Sequence, residues 1–183
     1  MAVETVIFTR QPALTWGEIE AAGRADGWHL RRLDAAQQPA GPSAATADRP
    51  IAGQALVVLG WPAGADELTA EVDRALGSGD KAALDRLGAA GGLAWFDLTC
   101  RPYSFAQFQA DAARDFDDAD ELDDDEDEDA DDEVGDPADP ARFQGIQARY
   151  FCRSAIRPAR HADLLGRVAR IIREQGDGFA EEW

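Results

Sequence analysis

The chain has 183 residues, 45% of them apolar, and a formal net charge of −18. That length fits one domain with some elaboration, and the apolar fraction is enough for a real core. No apolar run approaches the roughly 20 residues needed to span a bilayer, and the opening MAVETVIFTRQ has neither the basic nor the apolar region of a secretory signal.

A cytoplasmic protein without a membrane partner is therefore expected. Cys100 and Cys152 each lie in an apolar segment with no metal-ligand spacing, and they read as buried reduced thiols.

VETVIFTR, residues 3–10, is rich in β-branched side chains and opens the chain as a strand. LTWGEIEAAGRADG then marks both ends of a short helix. Thr15 and Glu18 have the spacing of a capping box, Leu14 can staple against Ile19, and Gly27 supplies a left-handed stop. WHLRRLD, residues 28–34, alternates Trp28, Leu30 and Arg32 against His29, Arg31 and Leu33, the pattern of a second strand.

Residues 35–54 form a Pro/Gly/Ala/Ser loop. ALVVLGW, 55–61, reads as a central strand. From Asp66 to Ala90 the apolar period turns helical, with a break at Gly77-Ser78-Gly79. GGLAWFDLTC, 91–100, is a fourth strand. Strand–helix–strand–strand–helix–strand is the order of a ferredoxin-like fold. The expected class is thus α+β, with a ferredoxin-like (βαββαβ) core over residues 3–100.

Three further elements extend this core. SFAQFQADAARDF places Phe105, Phe108, Ala112 and Phe116 at helical spacing after Ser104 as N-cap, in a helix expected to fray near Asp115. ARFQGIQARYFCRSAIRP is strand-like and reads as a long edge strand. HADLLGRVARIIREQ gathers Leu164, Leu165, Val168, Ile171 and Ile172 on one face, an amphipathic helix expected to dock on the sheet. The AEEW tail reads as exposed, which would leave Trp183 free to anchor an interface.

Most of the charge lies in one place. Between Asp111 and Asp136 there are seventeen acids and one arginine, which leaves −2 for the remainder. The dense part comprises Asp117, Asp118, Asp120, Glu121, Asp123, Asp124, Asp125, Glu126, Asp127, Glu128, Asp129, Asp131, Asp132 and Glu133. Asp is a poor helix former, like charges repel, and little apolar surface is available to offset ordering entropy. A flexible acidic insert at 111–140 is therefore expected within a single domain, 1–183.

The run lacks the central glycine and spaced ligands of a calcium loop, so weak, unselective cation binding is all it offers. Mimicry of a polyanion is the sharper reading. Duplex DNA carries about one charge per 1.7 Å of axis, and this segment would carry about one per 2.3 Å if helical. Extended, it falls to about one per 5 Å. A basic protein partner is thus expected, and the same acids argue against direct nucleic-acid binding. From Arg142 to Arg173 there are eight arginines and one acid, a region over which the insert could fold back.

Catalytic signatures are missing from the sequence. His29 and His161 have no recognisable nucleophile partner, the serines lie in no G-x-S-x-G elbow, and GSGDK lacks the phosphate-loop arrangement. Neither an enzyme, a cofactor nor a metal site is expected.

In its small, acidic α+β character and aromatic-bounded strands, as in LTWGEIEAAGRADGW and GGLAWFDLTC, the chain resembles bacterial polymorphic-toxin immunity proteins. Through the strand–helix order of residues 3–100 and the Asp/Glu-rich segment, it is also similar to acidic, ferredoxin-like protein inhibitors of ribonuclease E. Both resemblances imply an inhibitor that neutralises a basic, nucleic-acid-directed toxin or enzyme. The alternatives are a small-molecule-binding or enzymatic domain with an incidental solubilising loop, and an acidic chaperone of basic clients.

Overall fold

The computed structural model describes residues 3–34, 48–119, 139–154 and 159–182. Along them run β1 (Val3–Thr9), α1 (Trp16–Ala25), β2 (Trp28–Asp34), β3 (Ala55–Pro62), α2 (Asp66–Ser78) and α3 (Lys81–Ala89). These are followed by β4 (Ala94–Pro102), α4 (Phe105–Ala119), β5 (Ala148–Ser154), α5 (Ala159–Gln175) and β6 (Gly178–Glu182). A 3₁₀ turn, Pro140–Phe143, precedes β5. The strands form one sheet in the order β2-β3-β4-β5-β1-β6, every neighbouring pair antiparallel. The protein is α+β.

Strand alternation divides the core into two layers. Ile7, Leu30, Val58, Phe96, Leu98 and Tyr150 face α1 and α5 in the larger one. On the opposite face, Leu33, Leu59 and Trp61 lie under α2 and α3, while Val6 and Phe8 lie under α4 and the 3₁₀ turn.

Local signals for α1 are realised in full. The Thr15 N–H donates to the Glu18 carboxylate at 2.7 Å, and the Glu18 N–H donates to Thr15 Oγ1 at 3.2 Å. Leu14 and Ile19 are buried in the same cluster. Gly27 turns the chain out of the helix at φ +80°.

The ferredoxin-like pairing expected over residues 3–100 is not formed. In that fold a single strand is slotted between the two that flank the first helix, whereas here β3, β4 and β5 all separate β1 from β2. The cause lies in the 66–90 segment. It is two helices, broken at Gly79 (φ +66°) with Asp80 capping the second. A two-helix excursion returns the chain to the end of the sheet it left, so β4 pairs antiparallel with β3. A single crossover helix would have delivered a parallel strand. A split βαβ does occur later in the chain: β5, α5 and β6 enclose β1.

The expected long edge strand is also corrected. Its first part is the 3₁₀ turn, capped by the Asp139 side chain accepting from the Ala141 N–H at 3.0 Å, and Gly145 is left-handed at φ +76°. The remainder, β5, is interior, between β4 and β1. The true edge there is β6, whose last three residues, Ala180 to Glu182, belong to the tail expected to be exposed: Gly178 to Glu182 pairs with Thr9 to Thr5. Gly178 permits this, since a Cβ there would lie 2.3 Å from the Phe8 carbonyl oxygen. The α4 helix also persists to Ala119, beyond the fraying expected near Asp115.

Gly88 in α3 offers a test of packing under the two-helix cover. A Cβ built there meets the Trp95 ring at 2.0 Å. Gly88→Ala is expected to cost about 1–3 kcal/mol through overpacking, despite alanine's roughly 1 kcal/mol advantage in helix propensity. Urea denaturation measures it. A net gain in stability would mean that Trp95 moves aside freely.

Candidate functional site

The acidic insert leaves the folded body from two stems that meet. On the first stem, α4, the Ser104 hydroxyl accepts from the Gln107 N–H at 3.4 Å, and Phe108 follows one turn after the start. On the second, the 3₁₀ turn presents Phe143. The Phe108 and Phe143 rings stack with centroids 3.9 Å apart at 10°. Phe143 also meets Phe8 and Phe179 edge-on, at 5.0 and 5.2 Å. The chain segments on either side of residues 120–138 are thereby joined over the β5-β1-β6 part of the sheet.

A polar clamp reinforces the first stem. Tyr103 Oη donates to the Asp111 carboxylate at 2.9 Å, and Arg149 donates to the same oxygen at 3.3 Å. The Arg149 guanidinium lies over the Tyr103 and Phe151 rings, at 4.2 and 4.7 Å from their centroids. Burial, with the Asp111 hydrogen bond next, pushes the Tyr103 phenol up to about 12. It therefore stays protonated and donating throughout the neutral range. Asp111 is also the first acid of the charged segment, so that segment is tied to β5 at its start.

Of the acids expected to meet a partner, Asp117 and Asp118 fall in the last turn of α4. Asp120, Glu121, Asp123, Asp124, Asp125, Glu126, Asp127, Glu128, Asp129, Asp131, Asp132, Glu133 and Trp183 lie outside the described residues. The loop at 39–50 is described only from residue 48. There Pro50 bridges to Thr15, and the Ile51 N–H donates to the Leu14 carbonyl.

Several arginines expected to attract the insert have partners in the folded body. Arg170 and Arg167 both bind Asp26, at 2.7 and 3.3 Å. The Arg170 hydrogen bond foremost holds Asp26 below the usual carboxylate range. Arg160 donates to the Gly88 carbonyl, and Arg142 lies over the Phe179 ring. Arg149 alone among these meets an acid of the charged segment, Asp111.

A second concave feature was not foreseen from sequence. Between the sheet and α2–α3 lies a cavity of about 400 Å³ lined by Leu33, Val57, Leu59, Leu76, Leu84, Leu93 and Trp95, with Asp97 and Arg153 also on its wall. Its residues come from four strands and two helices, so no local pattern announces it. The only sequence-level trace is that Asp97 and Arg153 interrupt apolar strands.

The histidines and cysteines are built into the core or beside it. His161 is fully buried, its ring edge-on to Trp95 and its Nδ1 2.8 Å from the Trp95 carbonyl oxygen. His29 stands beside the Trp61 ring. Both thiols are free and buried. Burial pushes Cys100 up to about 11 and Cys152 to about 12, which keeps them protonated and poorly nucleophilic. Among the described residues no helix is long and apolar enough to cross a membrane.

These features define an α+β protein with a six-stranded antiparallel sheet, an aromatic-clamped acidic insert and a separate apolar cavity. No family model, curated protein or solved structure matches the chain.

Proposed function

We propose that the protein is a non-enzymatic, immunity-type inhibitor that binds and neutralises a basic, nucleic-acid-directed toxin or enzyme in the cytoplasm. The observation that supports this reading is where the charge lies. Seventeen acids and one arginine fall between Asp111 and Asp136, on a segment whose stems are stacked together through Phe108 and Phe143. The rest of the chain is close to neutral.

A polyanion anchored at one place on a near-neutral body attracts a basic groove at long range and competes for its phosphate sites. Charge alone does not choose among basic proteins, so a folded surface must supply specificity. Trp183 and the loop at 39–50 are the candidates for that surface. Acids in the last turn of α4 oppose the helix dipole, so a cationic partner would also stabilise that turn.

The test is affinity capture from the native cell at low and high salt, followed by binding kinetics of the full-length protein and a variant lacking residues 117–133. The deletion removes fourteen acids and one large apolar side chain, Leu122. It should leave the melting temperature unchanged or raised. Association should slow by about tenfold or more at low salt, with a flatter salt dependence, while dissociation changes less. Equal on-rates with equal salt slopes would overturn the electrostatic role, and capture of no basic protein would overturn the inhibitor reading.

A further inference from the structure

The cavity under α2 and α3 plays no part in the reading above. Protein interiors leave few voids larger than a water molecule, whereas this space, about 400 Å³, falls in the range of small-molecule pockets, about 300–1,000 Å³. Its depth is apolar, with Leu33, Leu59, Leu84, Leu93 and Trp95 on the walls.

Its edge is charged in both senses. Asp97 on β4 and Arg153 on β5 are directly opposed in the antiparallel register, which places their Cβ atoms about 4.5–5.5 Å apart on one face. Both are exposed, and among the described residues neither joins an ion pair within 4.0 Å. Their strands are interior to the sheet, so this spacing is set before any ligand arrives.

We propose that this cavity binds a small apolar zwitterion, with the chemistry of a free amino acid bearing an aliphatic or aromatic side chain. The side chain would enter the leucine- and tryptophan-lined depth. The carboxylate would take the fork of the Arg153 guanidinium, and the ammonium would meet Asp97.

The surrounding charges favour this choice over a simple ion. Glu4 opposes Arg153 from β1, and Asp85 and Lys81 line the same cavity from α3. Among the described residues the wall thus carries two acids and two bases, a balance that favours neither a plain anion nor a plain cation. A plain cation would engage Asp97 but not Arg153. Only a ligand carrying both charges on adjacent carbons answers both groups.

Calorimetric titration of the full-length protein with L-leucine and L-phenylalanine tests this, beside N-acetyl-leucine, which lacks the ammonium, and leucine amide, which lacks the carboxylate. At least one free amino acid should bind saturably at one site, and the two blocked forms at least tenfold more weakly. Asp97→Asn and Arg153→Gln, both at exposed positions, should each weaken binding about tenfold or more. Leu84→Trp, which fills the cavity from α3, should abolish it. The proposal is overturned if neither amino acid saturates by about 10 mM, if binding ignores all three substitutions, or if a blocked form binds as well as the free one.

Discussion

Phe143→Ala should lower stability by about 3–5 kcal/mol, the range for deleting a fully enclosed aromatic ring. Phe143 is 2% exposed and touches three other rings, those of Phe8, Phe108 and Phe179. No neighbour is free to refill the space, because Phe8 is held in β1 between two paired strands and Phe179 in the edge strand β6. The loss should be largest around α4, whose other attachments are the packing of Phe105 and the Tyr103–Asp111–Arg149 clamp.

Urea denaturation gives the magnitude, and hydrogen exchange along residues 105–114 gives the location. Phe143→Leu, which keeps most of the volume, should cost far less, about 1.5 kcal/mol or below. A loss under about 1 kcal/mol for the alanine variant would show that the stacked rings do not hold the stems together. In the same variant the acidic insert would lose one of its two fixed ends, so association with a basic partner should become less specific before it becomes slower.

Val168→Asp should unfold the protein outright. Val168 is 1% exposed, in the middle of the α5 strip that packs across β4, β5, β1 and β6. A carboxylate there would lie among buried apolar side chains, and the neighbouring Arg167 and Arg170 are already paired with Asp26. Burying an unpaired charge costs several kcal/mol, a large share of the roughly 5–15 kcal/mol that holds a domain together.

Loss of the near-ultraviolet circular dichroism signal, with a collapsed urea midpoint, would be the readout. Ile171, 6% exposed, lies nearer the margin of the strip, and aspartate there should still cost several kcal/mol. Arg173→Asp, on the exposed face, should change stability by no more than about 0.5 kcal/mol. Cooperative unfolding of Val168→Asp at the wild-type urea midpoint would mean that α5 is not docked as described.

What the sequence determined by itself was local. The capping box of α1, the break at Gly79, the alternation of β2 and the apolar face of α5 each follow from residues within a turn or two of one another. So does the division between a near-neutral body and one intensely charged segment, because charge is counted without knowing where the chain goes.

Pairing is what only the tertiary structure decided. Strand–helix–strand–strand–helix–strand permits several sheets, and the choice turned on whether residues 66–90 cross the sheet once or go out and back. That depends on how α2 and α3 bury their apolar faces, a matter of packing against Leu59, Trp61 and Leu93 rather than of local pattern.

The short strand β6 escaped notice for a related reason. It has two apolar residues, Phe179 and Ala180, and its stability comes from the open edge of β1, which no window of sequence contains. The stacking of Phe108 on Phe143 and the register opposition of Asp97 and Arg153 bring together residues 35 and 56 positions apart. Both juxtapositions follow from β5 lying between β4 and β1, paired along both of its edges, with Ala148, Tyr150 and Cys152 buried on one face.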